Sequence, residues 1–469
     1  MRRAACTSSI KRRFGLPAAL LTWLGLGLGA VLAAGTPVAA APAGRDLSIQ
    51  AGAVFDSVRG EVLAGRRIVI HGGRIVEVRP AHDDDPPPDL DWRDRLVMPG
   101  WFDMHTHLIG DIQSADPLAP LKSSAAEDVL LGAAHAAATL RAGFTSVRDV
   151  GTYRGLVDVA LRDAIRRGEV AGPRMFVAGA YVTAPGGGGE VTGTPGASLP
   201  AEFRLGVARG EEALRERVRV LAQGGVDLIK VIATGAVLTE GTEPGAMEFS
   251  EDELRAIVDE ARKHGLDVTA HAHGAEGIKA AIRAGVRSIE HASLIDDEGL
   301  ALAKRHGVFL AMDVYNGDYI DEVGKRDGWS ADILRKNRDT TDAQREGFRK
   351  AVAAGVTVVF ATDAGVFPHG TNARQFAYMI RHGMRWQQAV QSATWHAARL
   401  LRVEQELGSI EPGKLADLVA LPLPADGDPP DFEAAVRVVQ EGVRVEGPAV
   451  TPPLSAVRRR APEEPVTPP

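Results

Sequence analysis

Apolar, strand-like runs alternate with helical stretches through the middle of this 469-residue chain, and this alternation constrains the fold more than any other feature. The strand-like runs include "TSVRDVG", "VDLIKVIATG", "DVTAHAHG", "RSIEHAS" and "VTVVFATDAG". Intervening segments such as "SEDELRAIVDEARKHG" carry the 3.6-residue period, with a capping residue at the start and Gly at the end. Eight such units predict an α/β fold of the (β/α)8 TIM barrel type over residues 98–402.

The two ends of the chain carry a different pattern. Residues 46–97 alternate apolar and polar side chains, as in "RRIVIHGGRIVEVRP", which is typical of a β-hairpin. The segment "LGSIEPGKLADLVALPL", within residues 403–450, has the same character. We expect the two ends to meet in one small β-sandwich, followed by a Pro-rich, disordered tail at residues 451–469.

The N-terminus has the composition of an export signal. Basic residues precede an apolar run from Phe14 to Ala34, and the small-residue stretch "TPVAAAPA" follows it. We predict a signal peptide over residues 1–41, and therefore an exported protein that is periplasmic or secreted. Because the apolar run is long enough to span a bilayer, an uncleaved membrane anchor is the alternative.

Cysteine content and charge exclude several classes of function. Cys6, the one cysteine, lies in the predicted signal, so the mature chain would contain neither disulfides nor thiolate metal ligands. The chain has 54 Lys and Arg against 61 Asp and Glu; without the five basic residues of the signal the balance is 49 against 61, a net charge of −12. This charge argues against nucleic acid as a partner. The partner that we expect is a small-molecule substrate. The sequence leaves a homo-oligomer open.

Seven ionisable side chains lie at or near the ends of predicted strands. Because the carboxyl ends of barrel strands meet at one face, we expect these side chains to converge on one site. They are His105 and His107 in "DMHTHL", Lys230 in "LIKVIATG", His271 and His273 in "AHAHG", His291 in "IEHAS" and Asp363 in "FATDAG". A lone strand-end histidine is more often structural, so the prediction of an active site depends on the whole set.

Lys230 is the most diagnostic member of the set. An ammonium flanked by "LI" and "VI" is costly to desolvate, so burial favours the neutral amine. A neutral lysine can add CO2 to form a carbamate, which can bridge two metal ions. The spacing of His271 and His273 does not show whether one or both of them bind metal, because residues two apart on a strand face the same side in either case.

Longer stretches resemble the amidohydrolase superfamily, in the branch of imidazolonepropionase-like proteins, Xaa-Pro-type dipeptidases and ochratoxin-hydrolysing amidohydrolases. They include "VMPGWFDMHTHL", "AHAHGAEGIKAAIRAGVRSIEHAS", "FATDAGVFPHG" and "GSIEPGKLADLVAL". The resemblance implies two metal sites bridged by a carboxylated lysine, Lys230. In the more buried site the implied ligands are His105, His107 and Asp363. In the second site they are His271 and His291, which leaves His273 for substrate.

Imidazole and carboxylate ligands suit two Zn²⁺ ions, with Mn²⁺ or Co²⁺ as alternatives. The resemblance implies metal-assisted acyl hydrolysis, with Asp363 as general base and acid and His273 polarising the carbonyl oxygen. The expected substrate is a dipeptide or N-acyl amino acid with a free carboxylate, ochratoxin A included. A lactonase, an esterase or a cyclic-amide hydrolase with the same site is the alternative. A non-catalytic binder would leave the predicted metal ligands without a role.

The loop after the third strand, "APGGGGEVTG", departs from related barrels, which often carry a histidine there. We predict a mobile loop at Gly186–Gly189 that admits a large acyl group, with Glu190 as a substrate contact. Four more candidate substrate contacts follow strands seven and eight: Tyr315, Asp318, His369 and Asn372.

Overall fold

The structure, a computed structural model, describes residues 46–110, 116–425, 427–446 and 459. The predicted signal peptide lies outside the described residues, and so does the predicted disordered tail apart from Arg459. In these described ranges, no helix is long and apolar enough to cross a membrane.

The strands come from two kinds of sequence: alternating segments at the chain ends and short, fully buried apolar runs in the middle. They are β1 (Leu47–Asp56), β2 (Glu61–His71), β3 (Arg74–Pro80), β4 (Leu90–Pro99), β5 (Trp101–Thr106), β6 (Phe144–Asp149), β7 (Arg174–Val177), β8 (Tyr181–Val182), β9 (Leu228–Ile232), β10 (Asp267–Ala272), β11 (Ser288–His291), β12 (Phe309–Ala311), β13 (Val358–Val359), β14 (Leu418–Pro422), β15 (Arg437–Gln440) and β16 (Val443–Arg444).

The helices follow the amphipathic segments of the sequence. They are α1 (Ala125–Arg141), α2 (Val157–Arg166), α3 (Glu211–Gln223), α4 (Glu251–Lys263), α5 (Ala275–Ala284), α6 (Asp297–His306), α7 (Asn316–Asp327), α8 (Ala331–Ala354), α9 (Arg374–Arg381), α10 (Trp386–Ser392) and α11 (Trp395–Leu401). Ser250 caps α4 and forms a capping box with Glu253, as the sequence "SEDE" predicts. Helices α5 to α8 each end at a glycine in the left-handed conformation.

Strands from both ends of the chain pair in one seven-stranded sheet with the order β16-β15-β14-β4-β1-β2-β3. The ends meet where β4 pairs with β14 in antiparallel register, with Met98 opposite Val419. The described strands therefore form one continuous sheet and not the two separate sheets of the predicted sandwich. The sheet curls, and its edge strand β3 meets the residues just before β14. There Ile75 N donates a hydrogen bond to Lys414 O at 2.9 Å. Curling encloses a separate apolar core and makes a second packed sheet unnecessary.

The middle of the chain forms two parallel sheets with helices between successive strands, an α/β fold. One sheet contains β5, β6 and β7, and the other runs from β8 to β13 in chain order. Backbone hydrogen bonds connect the sheets on both sides: Asp227 N donates to Val177 O at 2.8 Å, and Met104 N donates to Phe360 O at 2.9 Å. Since all these strands are parallel, their carboxyl ends lie along the same edge, where the polar residues of the sequence are found.

Candidate metal centre and substrate pocket

The seven ionisable side chains of the strand ends line a single pocket, as the sequence predicts. His105 lies in β5, His107 just after it, Lys230 in β9, and His271 in β10. The remaining three are His273, His291 at the end of β11, and Asp363 after β13. All seven are buried. The parallel strands thus bring to one point residues that are more than 250 positions apart.

Two overlapping groups of these side chains are close enough to hold a metal ion. The ligand atoms of His105, His291 and Asp363 lie within 4.8 Å of one another, and so do those of His271, His273 and His291. The Nε2 atoms of His105 and His107 each lie 3.3 Å from Asp363 Oδ1. Imidazole and carboxylate donors at these separations fit divalent transition metals.

Hydrogen bonds on the far side of the rings orient three of the histidines. His105 Nδ1 lies 2.9 Å from Glu290 Oε2, and His291 Nδ1 lies 3.0 Å from Asp313 Oδ1. His107 Nδ1 lies 2.9 Å from the carbonyl oxygen of Gly151. Because these oxygens accept hydrogen bonds, each Nδ1 carries the proton and each Nε2 is left as a lone-pair donor. This tautomer is the one that metal binding through Nε2 requires.

His271 in β10 and His273 just after it differ in their surroundings. His271 Nε2 lies 3.4 Å from Gly235 O, which leaves Nδ1 as the ligand atom. His273 Nδ1 lies 2.8 Å from Ser293 Oγ, which leaves Nε2 free. Since both rings are within reach of His291, the distances are compatible with either two or three imidazoles on one metal. The division of roles between His271 and His273 therefore stays a prediction.

Lys230 lies inside strand β9 with 1% of its surface exposed. Burial lowers the pKa of this lysine to about 8. In the part of the chain that the structure describes, no carboxylate lies within ion-pair distance of its ammonium. The lowered pKa increases the fraction of Lys230 that is a neutral amine, the state that carbamate formation needs.

Left-handed backbone occurs at two of the candidate ligands. His291 has φ of 67° and Asp363 has φ of 59°, values that residues other than glycine rarely adopt. Asp363 is held there by its own N–H, which donates to His105 O at 2.9 Å. Strain of this kind is retained where the surrounding structure fixes it, commonly at functional sites.

Four residues that support the site were missed by the sequence analysis: Glu290, Asp313, Asn316 and Gln344. Asn316 Nδ2 donates to Asp363 Oδ2 at 3.1 Å and to Asp313 Oδ2 at 3.2 Å. Gln344 Nε2 donates to Asp313 Oδ1 at 2.8 Å. Asp313 is the second residue after strand β12, so the strand-end rule that found the histidines could have found it too.

Glu290 is fully buried, with an ionisable partner on each of its two carboxylate oxygens. Arg148 Nη2 donates to its Oε1 at 2.6 Å, and His105 binds its Oε2. Burial alone would raise the pKa of Glu290, but Arg148 and His105 hold this pKa well below its usual range. The carboxylate is thus a permanent acceptor for the Nδ1 proton of His105.

The glycine run is packed, which contradicts the predicted mobile loop. Gly187, Gly188 and Gly189 are all buried. Gly188 N donates to Glu248 Oε1 at 2.6 Å, and Gly188 O accepts from Thr239 Oγ1 at 2.7 Å. A Cβ at Gly187 would collide with the Glu248 carboxylate. Glycine occupies these three positions because the backbone passes close to its neighbours and leaves no room for a side chain.

Glu190, a predicted substrate contact, lines the pocket, but its carboxylate already has protein partners. It accepts from Gly186 N at 2.6 Å and lies 3.3 Å from Arg204 Nε. These contacts hold the Glu190 side chain in place.

The other four predicted substrate contacts do not line the pocket in the described part of the chain. Tyr315 OH accepts from Arg374 Nη1 at 3.2 Å, and Asp318 pairs with Arg345 at 2.6 Å. Neither is among the pocket-lining residues that the structure describes. Helix α7 instead turns Asn316, the residue after Tyr315, toward Asp363.

His369 and Asn372 support the backbone of the site from outside. His369 Nε2 bonds the carbonyl oxygen of His107 at 3.0 Å, and Asn372 Nδ2 donates to Asp103 Oδ2 at 2.8 Å. Asp103 in turn accepts from His105 N at 3.2 Å. Both residues therefore act on the strand that carries the first two histidines, and neither is among the lining residues of the described chain.

Comparison with known proteins agrees with this site. The model of the Amidohydrolase family matches residues 96–450, which contain every candidate ligand. The chain belongs to this family. This amidohydrolase is 31% identical to the ochratoxinase of Aspergillus niger over 379 residues, covering 76% of the chain and 77% of the relative.

Solved structures resemble it as well. A Xaa-Pro dipeptidase with bound methionine in its active site is 37% identical, with a TM-score of 0.79 over 86% of this chain and 100% of the other. A prolidase complexed with N-methylphosphonate-L-proline is 32% identical, with a TM-score of 0.76 and the same coverage. Family membership shows that this amidohydrolase is a hydrolase acting on C–N bonds.

We predict that Glu290→Gln weakens metal binding by roughly ten- to a hundredfold, because an amide can present either its oxygen or its NH₂ to His105 and no longer fixes the tautomer. Competition with a chelator measures the affinity. Glu260→Gln is the matched control, since Glu260 is also buried but lies in α4 and pairs with Lys263. Equal metal affinity in the two variants would show that Glu290 does not orient His105.

Proposed function

We propose that this amidohydrolase uses two divalent metal ions to hydrolyse the amide bond of dipeptides or N-acyl amino acids. The observation that carries the proposal is the set of imidazole, carboxylate and buried lysine groups lining one pocket. The proposed ligands of one ion are His105, His107 and Asp363, and those of the other are His271 and His291. Lys230, carboxylated by CO2, would bridge them. Zn²⁺ suits these donors best, with Mn²⁺ or Co²⁺ as substitutes.

When bound, the ions would act as Lewis acids and lower the pKa of a coordinated water toward neutrality. Asp363 would act as the general base and then as the general acid. It is placed for this because Oδ1 faces His105 and His107, while Oδ2 is held by the amide of Asn316. A carboxylate fixed at both oxygens can take the proton of the attacking water and release it to the leaving nitrogen.

His273 would donate a hydrogen bond to the carbonyl oxygen of the substrate. Ser293 Oγ lies 2.8 Å from its Nδ1, and a serine hydroxyl that donates there leaves the proton on Nε2. Burial and the neighbouring His291 hold the pKa of His273 well below its usual range. The ring is therefore neutral at pH 7, with one donor available to the pocket.

An amino acid as the leaving group is supported by the relatives. The dipeptidase structure contains methionine, the prolidase structure contains an L-proline derivative, and the Aspergillus niger relative is an ochratoxinase. We propose a free carboxylate on this amino acid, and ochratoxin A as one substrate. In the described chain, Lys230 is the one Lys or Arg among the pocket-lining residues, so the metal ions would supply the attraction for that carboxylate.

Three further proposals concern the fold and the location of the protein. We propose that the two parallel sheets close into a (β/α)8 barrel, since backbone hydrogen bonds connect them on both sides. A second domain would be the curled sheet from residues 46–97 and 403–450. We also propose export to the periplasm or medium, which the composition of residues 1–41 supports.

Hydrolysis of a panel of dipeptides and N-acyl amino acids by the zinc-loaded mature protein tests the function. We expect cleavage of amides with a free carboxylate and lower kcat/KM for the same compounds with an amidated carboxylate, because binding energy away from the scissile bond orients it. Matched esters belong in the panel. If esters were cleaved faster than every amide by orders of magnitude, the protein would be an esterase.

Paired alanine variants separate the roles of His271 in β10 and His273 just after it. We predict that His271→Ala loses one metal ion, because His271 is a ligand. His273→Ala should keep both ions and lower kcat by roughly a hundredfold or more, the scale for removing one donor to a developing oxyanion. Elemental analysis and steady-state kinetics on both proteins measure this. Metal loss at 273 and retention at 271 would reverse the assignment.

A further inference from the structure

One wall of the pocket is apolar and is formed by residues outside the metal centre. Ile320, Trp329, Ile333 and Val366 form a hydrophobic cluster of their own, with Leu238 packed against it. All five line the same pocket as the candidate metal ligands. These five residues are called the apolar wall below. Because these residues line the pocket, the parts of their side chains that face it can contact a ligand.

Two short connections tie the apolar wall to Asp363. Val366 follows Asp363 by one turn, and Val366 N donates to Asp363 O at 3.1 Å. Asn316, which binds Asp363 Oδ2, lies one helical turn before Ile320 on α7. A spacing of four residues advances about 6 Å along a helix. The apolar wall therefore begins within one turn of the carboxylate proposed to protonate the leaving nitrogen.

Helix α8 extends this wall away from the reactive centre. Residues on one stripe of the helix line the pocket: Ile333, Asn337, Thr340, Thr341 and Gln344. Gln344 donates to His291 O at 3.1 Å and so marks the metal end. Ile333 lies 11 residues earlier, about 16 Å along the axis. Along the stripe, the side chains change from the Gln344 amide at the metal end to the Ile333 alkyl group at the opposite end.

The polar residues in the middle of the stripe are already paired. Asn337 Nδ2 donates to Gly317 O at 2.8 Å, and Thr341 Oγ1 donates to Asn337 O at 2.7 Å. Thr340 Oγ1 donates to Lys336 O at 2.8 Å. With these groups engaged inside the protein, the threonines offer mainly methyl surface to a ligand.

We propose that the apolar wall binds a bulky apolar side chain on the leaving amino acid and thereby determines the specificity of this enzyme. The inference rests on the proposed function, because the leaving side of the substrate is defined by the role of Asp363. Leaving groups with aromatic or branched aliphatic side chains bury their surface against Trp329, Ile320 and Ile333. Glycine as the leaving group leaves that surface exposed.

The test compares N-acyl amino acids in which only the leaving residue changes: Gly, Ala, Leu and Phe. We expect kcat/KM for Phe to exceed that for Gly by roughly tenfold or more, and Ile333→Ala and Trp329→Ala to reduce that ratio by about tenfold, the usual scale for apolar pockets. Trp329→Phe should restore most of it. Ile295→Ala is the matched control, since Ile295 is 7% exposed against 6% for Ile333 but does not line the pocket.

Equal loss in Ile333→Ala and Ile295→Ala, or an unchanged Phe-to-Gly ratio in the wall variants, would overturn the inference. A second series with a constant leaving group and varied acyl groups completes the test. If the wall variants changed selectivity in that series alone, the assignment to the leaving side would be wrong.

Calorimetry with free L-phenylalanine and glycine separates this inference from the proposed function. Zinc-loaded wild-type protein should bind phenylalanine at least about tenfold more tightly than glycine, and the wall variants should lose this difference. The measurement needs no turnover. If the protein cleaved no amide but still bound phenylalanine more tightly than glycine, the proposed hydrolysis would be wrong and the proposed role of the apolar wall would stand. If it bound the two amino acids equally well, the proposed role of the apolar wall would be wrong.

Discussion

Charge pairing across the inside of the parallel sheets is the interaction on which the pocket depends. Arg148 on β6 binds Glu290 on β11 at 2.6 Å, and Glu290 holds His105 on β5 at 2.9 Å. His105 Nε2 then faces Asp363 at 3.3 Å. All of these groups are buried, so each is tolerable only with its partner: removing one side of a buried pair costs about 3–5 kcal/mol. The same contacts set the tautomer and direction of the ring that faces the metal, so folding and ligand geometry are coupled.

The sequence was informative where a simple geometric rule applied. Parallel strands place their carboxyl ends at one edge, so histidines as distant as His105 and His291 could be predicted to share a pocket. The sequence does not indicate a role for Glu290, because it resembles any other residue of a buried strand. Its role depends on Arg148, which lies 142 residues away in the sequence. Pairs of this kind have no local spacing and become visible only when the strands are packed together.

The conformation of loops is harder to predict from the sequence, as the glycine run shows. Four successive glycines are compatible either with mobility or with close packing, and sequence alone does not distinguish the two. In the structure Gly187 to Gly189 are buried against Glu248 and Thr239. The sequence predicts His369 and Asn372 as substrate contacts because they follow a strand. In the structure His369 bonds the carbonyl oxygen of His107, and Asn372 donates to the Asp103 carboxylate on β5. The residues of α8 that line the pocket were overlooked because their stripe resembles that of any amphipathic helix.

The central claim is that one pocket at the strand ends holds two metal ions that act together in amide hydrolysis. Titration of metal-free protein with Zn²⁺ tests it most directly, with bound metal and hydrolysis of an N-acyl amino acid measured on the same samples. We predict that activity rises until two equivalents are bound and then stays constant, because the five predicted side-chain ligands and the carbamate exceed what one tetrahedral ion can use. Full activity with one equivalent bound, or hydrolysis by the metal-free protein, would contradict the claim.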